Sequence, residues 1–222
     1  MNIAQLMMNG FPTLATGNIA DAGHSFVKIM DPGIKPLHHS MKVAGPAFTV
    51  DTPPKANLSV HEAITMAPAG SVLVVNAYGN MTSGHMGDLM ALACQVRGIA
   101  GVVIDGAVRD VEDIINMGFP VFARGAVPHG NAAQTGTFNQ PVQCGGIEIN
   151  PGDMIFADAT GVVAFPQSQA EAIYQQAVFI ANSELGFVQQ LNEGKTLLQI
   201  PAFLKLHGID PARLQNDGVD IS

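Results

Sequence analysis

The sequence predicts a mixed α/β domain followed by a C-terminal helical appendage. Three observations lead there. Short Val- and Phe-rich runs bounded by Gly or Pro alternate with stretches of helical periodicity. The 222 residues suffice for one large domain with a full hydrophobic core. Past Gln167 the strand pattern gives way to a helical one that runs to Gly194.

The expected strands are 43–50 (VAGPAFTV), 71–77 (SVLVVNA), 101–106 (GVVIDG), 120–125 (PVFARG) and 161–165 (GVVAF). Residues 58–67 and 88–97 read as helices. In the second, Leu89, Leu92, Ala93 and Val96 recur at i, i+3, i+4 and i+7, and Gly98 stands at the C-terminal stop. Asp110 to Met117 reads as a short helix. Residues 126–160 are rich in Gly, Asn, Gln and Pro, with turn clusters CGG (144–146) and NPGD (150–153), so short antiparallel strands and loops are expected. Residues 201–222 suggest a short polar helix or coil. The division falls near Pro166: residues 1–166 form the main body, and 167–222 a helical extension of the same domain, expected to form an interface.

Charge narrows the function classes. Hydrophobic residues make up 47% of the chain and charged residues 13%, against about 25% charged in a typical soluble domain. That composition excludes intrinsic disorder. The net charge of −8 argues against nucleic acid as a ligand, which needs a basic face. No apolar run reaches 18 residues, so no membrane span is expected. No cation precedes Lys28, so the N-terminus lacks the positive flank of a signal peptide. Cys94 and Cys144 form neither a CxxC pair nor a zinc-spaced set and read as free thiols in a reducing cytoplasm. The scarcity of charge is expected of a homo-oligomer that hides surface against its own copies.

Between Ala56 and Gly194 there is no lysine and only three arginines, Arg97, Arg109 and Arg124. A Schiff-base enzyme needs a lysine in its site. Carbonyl chemistry in the central block should therefore use a metal. The seven histidines show no HExxH or HxH spacing, so a His-based metal centre is not expected. Arg97 reads as a cation closing the helix 88–97, and Arg124 as a surface or interface group. Arg109 follows the strand VVIDG, at a strand end where α/β proteins bind ligands.

Two pieces could carry chemistry. GHMGDLM (84–90) runs a Gly-containing loop into a helix N-terminus, where unpaired N–H groups receive carboxylates or phosphates. The plain alternative is a Gly turn with Asp88 as N-cap or first-turn acid. DGAVRDVED (105–113) gathers Asp105, Arg109, Asp110, Glu112 and Asp113, an oxygen-rich set suited to Mg²⁺ or Mn²⁺. Here the alternative is capping, with Asp110 as N-cap and Asp113 completing a capping box.

Residues 87–125, GDLMALACQVRGIAGVVIDGAVRDVEDIINMGFPVFARG, resemble the signature of the RraA-like family. That family includes the class II 4-hydroxy-4-methyl-2-oxoglutarate aldolases and regulators of ribonuclease E activity. The resemblance extends to GNIADA (17–22), GPAFTV with HEAITMAPAGSVLVV (61–75), and PVQCGGIEINPGDMIFADATGVVAFP (141–166), covering roughly residues 10 to 170. The aldolase pattern of an acid, twenty residues and Arg-Asp is matched by Asp88 and Arg109-Asp110.

The resemblance implies an α/β/β sandwich of the swivelling-domain type with a C-terminal helical extension. It implies divalent-metal-dependent retro-aldol cleavage of 4-hydroxy-2-oxo acids to pyruvate through an enolate, with oxaloacetate decarboxylation as a side activity. Asp110 would be the protein ligand of Mg²⁺ or Mn²⁺, with waters in the other positions. Arg109 would contact the keto or enolate oxygen. Backbone N–H groups around Gly87, Asp88, Leu89 and Met90 would hold the substrate carboxylate. Asp88 would orient a water for proton transfer, with Asp113 behind the ligand Asp110. The assembly would be a homotrimer or a dimer of trimers, a neighbour's Glu171, Glu184 or Glu193 completing each site. Asn57 stands where many members have Asp-Asn. Two further readings stay open: related enolate chemistry on another oxo or sugar-derived acid, and a regulator that inhibits ribonuclease E. No Gly-rich loop for adenosyl binding supports a methyltransferase.

Overall fold

The computed structural model describes residues 10–130, 133–217 and 219–221. Residues 1–9 of the N-terminal stretch read above for a signal-peptide flank lie outside the described residues. The chain divides into two compact units, residues 1–176 and 177–222.

Four parallel strands form the centre of the first unit. They are β3 (Val43–Asp51), β4 (Val72–Gly84), β5 (Gly101–Val108) and β6 (Val121–Ala126), adjacent in that order. Helices α2 (Leu58–Met66), α3 (Asp88–Val96) and α4 (Val111–Met117) make the crossovers between them. Parallel neighbours need such connections, and strands covered on both faces read as unbroken apolar runs. Every residue of β5 is buried.

Beyond β3 the sheet turns antiparallel through β10 (Met154–Ala157), β11 (Val162–Phe165) and the short β1 (Lys28–Ile29). At the other edge β2 (Lys35–Pro36) pairs with β6. With β7 (Thr137–Phe138) on β3, nine strands form one sheet among the described residues. The α/β class expected from the sequence is the one observed, with the C-terminal helix.

The turn-rich stretch contains the hairpin of β8 (Val142–Cys144) and β9 (Ile147–Ile149). Its two central residues, Gly145 and Gly146, both have positive φ, as the tight turn requires. Helix α1 (Thr16–Gly23) is tied to the β10–β11 turn by Asp158. That carboxylate accepts from the Thr16 N–H (2.9 Å) and Oγ1 (2.7 Å) and from the Thr160 N–H (2.8 Å).

Two expectations need correction. The strand expected over 71–77 continues to Gly84, its register against β5 shifting twice. Tyr78 and Gly79 adopt positive φ there, so the polar run 78–83, which the sequence reading left unassigned, is an irregular continuation of the strand. The stripe Leu89, Leu92, Val96 lies on the outer face of α3, at 75%, 46% and 78% exposure, while Met90, Ala91 and Cys94 are buried. The helix is apolar on both sides, and this chain's own core covers only one.

Helix α5 (Ala170–Asn192) crosses the division between the units. In the second unit it is followed by α6 (Pro201–Leu206) and α7 (Pro211–Asn216), two short helices where a helix or coil was expected. Phe187 packs edge-on against Phe203, with ring centroids 5.6 Å apart. Among the described residues, no helix is long and apolar enough to cross a membrane.

Candidate functional site

The two pieces singled out in the sequence meet at the C-terminal ends of the neighbouring strands β4 and β5. Backbone bonds join them: the His85 N–H donates to the Ala107 carbonyl (2.8 Å) and the Arg109 N–H to the Met86 carbonyl (2.9 Å). The N-termini of α3 and α4 consequently border one open cleft of about 310 Å³. Gly87, Asp88, Leu89, Met90, Arg109 and Asp110 all line it, with Asn57 and His61 from the start of α2 on another wall.

Gly87 occupies the N-cap position of α3 without a capping side chain, and Asp88 is the first-turn acid. The leading N–H groups of the helix have no intrahelical partner. With the helix dipole they form a seat for a carboxylate.

Asp110 departs from the capping expectation. It holds the N-cap position of α4, yet its side chain makes no cap hydrogen bond. Its backbone is left-handed, φ 56° and ψ 42°, a conformation Asp tolerates better than most residues but still at a cost. The carboxylate turns to Arg109, whose Nε donates to Oδ2 at 2.9 Å. Oδ1 is the oxygen this ion pair does not use.

Gly87 is the space that permits this. A methyl carbon there would lie 2.5 Å from Asp110 Oδ2 and 3.3 Å from Arg109 Cγ. Gly84 and Gly130 flank the same arginine, their Cβ positions falling 3.1 Å from Arg109 Cγ and 3.5 Å from Nη1.

Three other charged residues of the central block, Asp105, Arg124 and Arg97, are engaged elsewhere. The buried Asp105 accepts from Arg124 Nε and from the Gly145 N–H (2.8 Å), and so ties β5 and β6 to the hairpin turn. Arg124 also reaches Asp31 at 3.4 Å, and the Asp105 hydrogen bond, the largest influence on it, raises its pKa. Arg97 donates from Nη2 to the Thr65 carbonyl (2.6 Å), linking α3 to α2. Of the three central arginines, Arg109 alone lines the cleft. Asp113 is exposed on the first turn of α4 and is not among the lining residues. Glu171, Glu184 and Glu193 are exposed on α5 or just past it.

Behind the cleft His85 is fully buried. Its Nδ1 lies 2.8 Å from the Ala56 carbonyl, which can only accept, so the proton sits on Nδ1. Nε2 then accepts from the Asn80 amide at 3.2 Å. Burial holds the imidazole pKa below its ordinary value despite that carbonyl bond. The ring anchors the segment before α2, and with it Asn57, to the end of β4. Burial also pushes the Cys94 thiol up to about 12 and raises Cys144, so both free thiols are inert.

Sequence reasoning missed His61. The signal was present: Asn57 and His61 are four residues apart at a helix start, a spacing that puts both on one face.

The profile of the RraA-like family, described as Aldolase/RraA, matches residues 16–164. The chain belongs to the RraA-like family. Among curated proteins it is 38% identical over 168 residues to one from Halalkalibacterium halodurans named "Putative 4-hydroxy-4-methyl-2-oxoglutarate aldolase", covering 75% of this chain and 80% of that one. An uncharacterized protein from Pseudomonas syringae superposes with a TM-score of 0.80 at 31% identity, covering 90% of this chain and 98% of that one. A structure titled as the RNA-processing inhibitor RraA, from a Thermus species, gives a TM-score of 0.64 at 27% identity, covering 68% and 92%.

Proposed function

We propose that the cleft cleaves 4-hydroxy-2-oxo acids, of the 4-hydroxy-4-methyl-2-oxoglutarate type, to pyruvate through an enolate, with oxaloacetate decarboxylation as a side activity. One observation carries this reading. A strained Asp110 gives up its cap and presents its carboxylate to the cleft beside Arg109, opposite the uncapped N-terminus of α3.

The residues fit a hard divalent cation, Mg²⁺ or Mn²⁺. Asp110 and Asp88 offer carboxylate oxygens on one open cleft, and such ions are commonly held by one or two carboxylates plus waters. Among the described residues no cluster of three or more His, Cys, Asp or Glu forms a closed cage. Asp110 would hold the ion through Oδ1. When bound, the cation supplies positive charge that stabilises the enolate as it develops.

The chain's own groups do the rest. The N–H groups at the start of α3 bind the substrate carboxylate. The Arg109 guanidinium, fixed by Asp110, donates to the 2-oxo oxygen, where negative charge accumulates as the C3–C4 bond breaks. Asp88 orients the water that takes the C4 hydroxyl proton and returns a proton to C3.

We further propose that copies of the chain cover the outer stripe of α3 and the exposed Phe179, Leu185 and Val188 of α5 in a homotrimer or a dimer of trimers. A neighbour's Glu171, Glu184 or Glu193 would then complete each site. The unpaired thiols suit a reducing cytoplasm.

The test is pyruvate release from 4-hydroxy-4-methyl-2-oxoglutarate and from oxaloacetate, by protein stripped of metal, then given Mg²⁺ or Mn²⁺. Release that depends on metal supports the proposal. No release from either substrate by folded protein overturns it and brings forward the ribonuclease-regulator reading, which the likeness to the Thermus inhibitor favours.

A further inference from the structure

His61 stands where the cleft opens into a second depression. That groove, of about 400 Å³, lies between α2 and α3 and shares His61, Leu89 and Met90 with the cleft. His61 lies one turn into α2 and is exposed. Among the described residues nothing hydrogen-bonds to its ring. The core side of α2 is filled by Val60, Ala63 and Ile64, so packing of the fold gives this imidazole no task.

We propose that His61 reads the second carboxylate of a dicarboxylic 4-hydroxy-2-oxo acid, donating an imidazole N–H to it, and so sets the preference for such acids over monocarboxylic ones. The inference rests on the enolate reading of the cleft and names the residue that selects its substrate. With the first carboxylate on the N-terminus of α3 and the 2-oxo group at Arg109, the Asp88 and Asp110 walls repel a further negative charge. The remaining wall is the start of α2, which carries Asn57 and His61. His61 takes no part in breaking the C3–C4 bond; it holds the group attached at C4.

Charge leaves few alternatives. Of the described residues lining the cleft, Asp88 and Asp110 are acids and Arg109 is bonded to Asp110, so His61 is the remaining group able to carry positive charge. No lysine occurs between Ala56 and Gly194. Arg97 closes the far end of the groove, bonded to the Thr65 carbonyl. From Asp88 to Arg97 the helix advances about 13 Å, beyond the reach of a five-carbon acid seated on its first turn. The Asn57 amide is turned to Met90 Sδ, at 3.8 Å. A second copy over Leu89 would roof the passage from the α3 side, whereas His61 belongs to the α2 wall.

The test compares kcat/KM for 4-hydroxy-4-methyl-2-oxoglutarate and for 4-hydroxy-4-methyl-2-oxopentanoate, in which a methyl group replaces the second carboxylate. The readout is the ratio of the two. In the wild-type protein the dicarboxylate should lead. His61→Leu should lower the ratio about tenfold to a hundredfold, the range of a hydrogen bond to a charged group, with the loss falling on KM for the dicarboxylate more than on kcat. His61→Lys, which restores a cationic donor, should keep the ratio within about threefold of wild type. A wild-type protein that favours the pentanoate overturns the proposal. So does an unchanged ratio in folded His61→Leu, an equal loss on both acids, or a ratio in His61→Lys as low as in His61→Leu. Dissociation of the assembly by His61→Leu in light scattering also overturns it, since His61 would then be a contact of the second copy. If the metal-loaded wild-type protein releases pyruvate from neither acid, the enolate reading itself has failed, and the proposal falls with it.

Discussion

Replacing Gly87 with alanine separates the site's geometry from the fold's stability. The new methyl carbon would sit 2.5 Å from Asp110 Oδ2, about 0.9 Å short of the 3.4 Å at which ordinary contact begins. Gly87 has φ −134°, open to any residue, so the backbone is not strained by the change. The group that must move is the end of a side chain. Asp110 is anchored there by the 2.9 Å bond from Arg109 Nε, and the two side chains are 25% and 45% exposed. Loosening a pair that open to solvent costs about 0–1 kcal/mol. Displacing a catalytic group by about 1 Å, however, costs on the order of 10²-fold in rate, or about 2.7 kcal/mol of barrier.

Gly87→Ala should therefore lower kcat/KM for pyruvate release about a hundredfold, while its midpoint in urea shifts by no more than about 1 kcal/mol of stability. The assay pairs initial rates with equilibrium unfolding on the same preparation. A variant that keeps full activity refutes the argument that Oδ2 and Arg109 are held in their working positions. A variant that loses activity only by unfolding refutes the claim that the clash is confined to side-chain ends.

Three further outcomes are expected. Asp110→Asn should lose about 10³-fold in rate and should no longer bind Mn²⁺ tightly, measurable by calorimetry; wild-type affinity in the variant would remove Asp110 as the ligand. Asp158→Asn should destabilise the fold by about 1–3 kcal/mol in urea. Burial alone would raise that carboxyl, but the bonds from Thr16 and Thr160 and the charge of Lys42 hold it below 3.8. Its stabilisation is thus complete above that value and is lost as pH falls through the lower folded pKa, a loss the variant should not show. Neutral His85 contributes stability above its unfolded pKa of about 6.5. Because its folded pKa is lower, thermal midpoints should decline from pH 7 to 5 more steeply in wild type than in His85→Gln, by at most about 1.4 kcal/mol per pH unit.

Much of this molecule was legible in its sequence because local patterns and tertiary burial agree there. The strands of the parallel centre are buried on both faces, so their apolar runs stand out, and the glycines at 145 and 146 announced their turn. Disagreement arose where burial has a cause outside the local pattern. The stripe of Leu89, Leu92 and Val96 has the spacing of a core face, yet the core lies on the opposite side. Spacing alone cannot tell a face packed on a sheet from one left for a partner. Asp110 and Asp113 have the residue types of a capping box, and no propensity shows that the backbone at Asp110 would turn left-handed and direct its carboxylate to Arg109. Asp105 looked equal to Asp110 in a nine-residue run. Only the fold reveals that one is consumed by Arg124 and the other faces the cleft.

The central claim is that Asp110, Arg109 and the start of α3 stabilise a pyruvate enolate. It can be tested without knowing the physiological substrate, by following exchange of the pyruvate methyl protons in D₂O by proton NMR. The predicted result is exchange that requires added Mg²⁺ or Mn²⁺, stops with chelator, and is absent in Asp110→Ala and Arg109→Ala proteins that remain folded. Exchange no faster than the uncatalysed rate in the metal-loaded wild-type protein, or exchange undiminished in both variants, would contradict it.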